Sequence, residues 1–141
     1  MKMLFCFLFL ISMRGCAQSD VKSIVYNASS RGFYYNIELS ENEIGVRNIR
    51  GAEKALTAPL KSEQWDQIVA LINNLKIDSW ETIEAPSQKS HVDAAAIATF
   101  MLKDGKGEII GETRFDHGNP PEVLKPLVNT ILLLAETVEK Q

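Results

Sequence analysis

Residues 94–115, AAAIATFMLKDGKGEIIGETRF, decide how this chain folds. Ile97, Thr99 and Met101 alternate with Ala96, Ala98, Phe100 and Leu102, so the spacing predicts a strand over Ala94–Lys103. Both of its faces carry apolar residues, the pattern of a strand buried on two sides. Alanine is a poor strand former, and a helix over Val92–Met101 competes with this reading. Asp104-Gly105-Lys106-Gly107 settles it. Asp-Gly accommodates the positive backbone angle of a tight hairpin, and Glu108–Phe115 then supplies the return strand.

Upstream of that hairpin, Ser23–Tyr26 favours strand, Asn27–Gly32 carries turn chemistry, and Phe33–Leu39 is an aromatic-led second strand. Ser40-Glu41-Asn42-Glu43 reads as a further turn. Ile44, Val46 and Ile49 follow as a third strand, with Arg47 facing water. After Pro59, Ser62 is placed to cap a helix and Glu63 suits the positive end of its dipole. Trp65, Ile68, Val69, Ile72 and Leu75 recur at spacings of three and four, giving that helix one apolar face. Asn74–Asp78 ends it, Trp80 and Ile83 close over the core edge, and Ala85-Pro86-Ser87 opens a polar loop.

Downstream, Asn119-Pro120-Pro121 suits a helix entry, because proline is tolerated where first-turn amides lack partners. Leu124, Leu127, Val128, Ile131, Ala135 and Val138 trace the buried face, and Pro126 either starts this helix or kinks it. The expected fold is α+β: an antiparallel sheet of about five strands (β-β-β-α-β-β-α) with two helices packed on one face.

The first residues concern location. Lys2 precedes an apolar block, Met3–Met13, of eleven residues, followed by Arg14-Gly15-Cys16-Ala17-Gln18. A basic start and a short apolar core form an export signal, and the block falls short of the roughly 20 residues that a membrane-spanning helix needs. Gly15-Cys16 resembles the lipobox of bacterial lipoproteins, which implies a signal peptide over 1–15, acylation of Cys16, and anchorage of the protein in the cell envelope, with the outer membrane as the expected site. Gly15-Cys16-Ala17 equally offers the small residues of an ordinary cleavage site after Ala17. Residues 16–21 are then a lipidated start and tether, and 22–141 one globular domain. Cys6 and Cys16 are the two cysteines, so a domain starting at Cys16 has no internal disulfide and no thiolate metal site.

Removing residues 1–15 leaves 13 basic against 18 acidic side chains, a net charge of −5. With no run of Lys or Arg, the composition argues against nucleic acid as a partner and against electrostatic adhesion to anionic lipid. Any membrane attachment therefore falls to the lipid on Cys16.

Two stretches could carry chemistry. In Phe115-Asp116-His117-Gly118-Asn119-Pro120-Pro121, Asp116 and His117 could form an acid/base pair or ligate a metal, with His91 and Asp93 on another loop. There is no H-x-x-x-H or H-E-x-x-H spacing, and the plainer reading is a turn in which Asp116 or Asn119 caps backbone amides. In Ser29-Ser30-Arg31-Gly32-Phe33, Arg31 offers a planar donor fork, Gly32 backbone freedom, and Phe33-Tyr34-Tyr35 a stacking surface. The plainer reading there is a hairpin turn before a half-buried strand. Neither a nucleophile elbow nor a phosphate loop is present, and no cofactor is implied.

The Ser30-Arg31-Gly32-Phe33 turn, the Trp65–Leu75 helix, the Phe100 hairpin and the closing Asp116-His117-Gly118-Asn119-Pro120-Pro121…Lys125-Pro126-Leu127 together resemble small uncharacterised lipoproteins of Bacteroidota. The Gly-Phe first hairpin, the helix, the later hairpin and the Pro-x-x-x-x-Pro-Leu closing helix are similar in order to emfourin, an inhibitor of thermolysin-like metalloproteases. These resemblances imply a lipid-anchored, non-enzymatic binding module contacting an envelope protein, a protease among the candidates. Arg31, Gly32, Phe33, Asp116, His117 and Asn119 would be its contact residues. The alternatives are a small metal-dependent hydrolase using His117/Asp116 with His91/Asp93, and a structural envelope subunit.

Overall fold

The computed structural model describes residues 20–77, 79–92 and 95–141. The expected signal and Cys16 lie outside them, as do Asp93 and Ala94. Six strands form one antiparallel sheet: β1 (Ser23–Ser29), β2 (Tyr34–Ser40), β3 (Glu43–Arg47), β4 (Leu56–Pro59), β5 (Ile97–Lys103) and β6 (Ile109–Asp116), in the order β4-β3-β2-β1-β5-β6. Helix α1 (Ser62–Asn73) follows β4, and α2 (Lys125–Glu139) closes the chain. The first four strands run as a meander. The segment carrying α1 then crosses the core so that β5 pairs with the far side of β1.

Alternation along each strand builds the core in rows across the sheet. Tyr26 pairs with Ile37 on one side and Phe100 on the other, and Ile24 with Leu39 and Leu102, all of them buried. Helix α2 lies over β3 and β4 and against α1, closing this face with Leu127, Val128, Ile131 and Ala135. Pro126 sits in its first turn, where the ring costs no hydrogen bond. Trp80, in a 3-10 turn (Trp80–Thr82), stacks on Phe100 at 6.2 Å between ring centroids and covers Gly111.

Several expectations need correction. A sixth strand, β4, is present in a stretch for which no element was expected. Asn27, Ala28 and Ser29 belong to β1 and not to a turn, because each is paired on both sides, Asn27 with Asn36 and Thr99. Ile49 lies beyond β3 and is exposed. Ser62 is the first helical residue; the cap is Lys61, whose backbone N–H donates to the Gln64 side chain at 2.9 Å. In the β5–β6 turn the positive angle falls on Gly107, not Gly105. There the Asp104 carboxylate accepts from the amides of Lys106 and Glu108. The outer face of β5 is only half covered, with Ile97 exposed, so that strand is not buried on two sides. Val21 is buried in the core and Lys22 N–H bonds Lys103 O at 2.8 Å, so the domain begins one residue inside the expected tether.

Candidate functional site

The two polar stretches meet at one end of the sheet. β1 ends at Ser29 and β2 begins at Tyr34, so the Ser30–Phe33 turn projects from the same end at which β6 runs out into His117. Ser30 N–H bonds Phe33 O at 2.9 Å, and the Arg50 guanidinium fastens the turn from outside by donating to Ser30 O at 2.8 Å while lying over the Tyr34 ring. Phe33 is thereby held with its ring centroid 5.0 Å from that of His117.

His117 is the hinge of this pole. Its Nδ1 lies 2.7 Å from the Tyr26 hydroxyl, and its ring also packs against Tyr35. Burial pushes the Tyr26 phenol up to about 12, opposed by a hydrogen bond from the Gly118 backbone, and burial holds the His117 imidazole below its usual value. The phenol and Nδ1 share one hydrogen bond, whose donor depends on the His117 tautomer. Gly118 follows at φ 83°, a left-handed angle suited to glycine. Tyr35 continues the network by donating to Glu139 near the end of α2 at 3.0 Å, and Asn48 donates to the other Glu139 oxygen. Burial, and then the Glu139 carboxylate, push the Tyr35 phenol far above its ordinary value.

Asp116 points the other way, as adjacent strand residues must. Its carboxylate accepts from the Ser87 hydroxyl at 2.5 Å, the Lys89 amide at 2.7 Å and the Ser90 amide at 3.0 Å, and the side chain is buried. These bonds, the Ser87 hydroxyl foremost, hold the carboxyl well below the usual carboxylate range. Asn119 donates to the Ser87 oxygen at 2.8 Å and completes the clamp. The Ser87–Val92 loop is thus tied to the Asp116–Asn119 turn.

The structure therefore joins Phe33 to His117, and Asp116 to Asn119 through Ser87, but it does not form an Asp116–His117 pair. Arg31 and Gly32 stand exposed on the turn beside Phe33. Among the described residues, none pairs with the Arg31 guanidinium, and Gly32 has open space where a side chain would go. His91 lines a shallow cleft with Arg114 and Asp116 on the outer side of β6. Among the described residues, no group of three or more His, Cys, Asp or Glu is placed to hold a metal. Tyr26 and Glu139 were not singled out from sequence as site residues; the alternation that buries Tyr26 was the one available signal for it.

Scans against family models, curated proteins and solved structures find no match to this chain. Its activity has to be argued from its own geometry.

Proposed function

We propose that this protein is a lipid-anchored, non-enzymatic binding module of the cell envelope, and that its contact surface is the pole formed by Arg31, Gly32, Phe33, His117 and Asn119. The observation that carries this reading is Phe33: a large aromatic side chain, 39% exposed, packed against His117 beside Arg31, whose guanidinium has no partner among the described residues. Aromatic residues and arginine on a pre-ordered frame are what contact surfaces concentrate, since little entropy is lost when a partner arrives. The groups that acid/base or metal chemistry would need are already engaged: the Asp116 carboxylate by three donors, and the His117 Nδ1 by Tyr26. A protease is a fitting partner under the emfourin-like reading, and another envelope protein fits equally well.

The position of the tether supports the same reading. The chain enters β1 at the Lys22–Lys103 end, whereas the pole lies beyond Ser29, a strand length of about 20 Å away. Cys16 lies five positions before the buried Val21, a reach of at most ~18 Å. An acyl group on Cys16 would keep the tether end close to the bilayer and turn the pole outward.

The test uses full-length protein carrying an affinity tag in the exposed Asp104–Glu108 turn, away from the pole. Cys16→Ser should move the protein from membrane to soluble fractions. The Arg31→Ala/Phe33→Ala pair should lower partner capture from envelope extract by about tenfold or more, as loss of an interface anchor does. Thermal unfolding should stay unchanged. Capture indifferent to that pair, or absent with the parent protein, overturns the reading.

A further inference from the structure

We propose that β6 is a homodimerisation strand: its open edge pairs antiparallel with β6 of a second copy about a twofold axis at Thr113, joining two sheets into one. The two edges of the sheet are unlike. β4 is four residues long and ends in Pro59, which blunts it against strand addition. β6 is eight residues long, contains no proline, and pairs in regular register with β5 from Gly111 to Asp116, with one irregularity at Ile110.

The hydrogen-bond phase fixes which groups that edge offers. His117 N–H bonds Ala96 O at 2.8 Å, and the register runs on through Phe115 opposite Ala98 and Thr113 opposite Phe100. In an antiparallel ladder bonded pairs alternate with non-bonded ones, so Phe115 and Thr113 bond inward to β5. Glu112 and Arg114 therefore aim their backbone N–H and C=O at the open edge. Among the described residues, no backbone group of another segment bonds to either.

Only registers that set these outward residues against each other close a ladder, and their side chains choose among them. An axis at Glu112 puts two glutamates opposite one another, and an axis at Arg114 puts two arginines. An axis at Gly111 brings the irregularity beside Ile109 and Ile110 to the centre, and one at Phe115 brings Asp116 with its covering 87–90 loop to the centre, whereas an axis at Thr113 leaves both at the rim, Ile110 opposite Asp116. The axis at Thr113 sets Glu112 against Arg114 of the second copy, and does so twice. Arg114 is exposed and Glu112 partly exposed on the same sheet face, and a 3.6 Å contact joins them. Exchanging that contact for two cross-strand pairs is favourable, whereas like charges in the same places repel.

Sedimentation equilibrium of the full-length chain in detergent tests this. The parent protein should sediment as a dimer. Glu112→Arg and Arg114→Glu should each weaken the dimer by about tenfold or more, since each turns two attractive pairs into two repulsive ones. Glu112→Arg/Arg114→Glu together should restore it to within about threefold. Glu112→Pro, which removes an outward N–H while sparing the β5 pairing, should yield a monomer with an unchanged circular dichroism spectrum. A parent protein that stays monomeric at about 100 µM, where even weak pairing shows, contradicts the proposal. So does a dimer that ignores both charge reversals.

Discussion

At the scale of single residues, what was visible in the sequence was the polarity of the Asp116–Asn119 run, and what was not visible was where each side chain would spend it. Asp116 and His117 are neighbours in sequence and so occupy opposite faces of β6, which separates the pair that their adjacency suggested. Their partners are remote: Tyr26 lies 91 positions from His117, and Ser87 lies 29 from Asp116. No local pattern encodes such contacts. His117 also makes a prediction. Burial holds its folded-state pKa below the ordinary 6.5, so the unfolded chain binds that proton more tightly. Stability should be fully present above about pH 6.5 and fall as the pH drops through the range down to the folded-state value. Asp116, also depressed, acts at lower pH, below the ordinary carboxylate value of 3.8, so the two effects separate. Urea unfolding between pH 7.5 and 5 should show this slope in the parent protein and lose it in His117→Gln. An equal slope in both would assign the pH dependence to another group.

Among the elements, the β5–β6 hairpin, α1 and α2 were legible because each repeats one signal over many residues: alternation in the hairpin, three-four spacing in the helices. The short β4 was not. Its four residues show little hydrophobic pattern, and Ala58 is the one buried side chain among them. The end of β1 was misread because Asn27 and Ser29 have turn chemistry, which pairing on two sides overrides. Glycine makes the same distinction testable. Gly111 lies under Trp80, so a methyl group there would press into the indole ring, which is itself stacked on Phe100. Gly111→Ala should cost about 1–3 kcal/mol in chemical denaturation, the ordinary penalty for overpacking a core. Gly32 has open space and no left-handed angle, so Gly32→Ala should stay within about 0.5 kcal/mol of the parent. Equal costs for the two would mean that Trp80 does not close over β6 as described.

For the molecule as a whole, the sheet has two unlike ends. The tether end carries Val21, Lys22 and the Asp104–Glu108 turn. The other carries the Phe33–His117 pole, braced by Glu139 of α2 and fastened by Arg50. Three segments far apart in sequence, 29–33, 87–90 and 116–119, converge there. The functional account rests on that pole being what a partner touches. Its most direct test is site-specific photo-crosslinking in intact cells, with a photoreactive residue at Arg31 in one strain and at Lys106 in another. The account predicts a discrete protein adduct from position 31 and none of the same mass from position 106. The same adduct from both positions, or from position 106 alone, would contradict it.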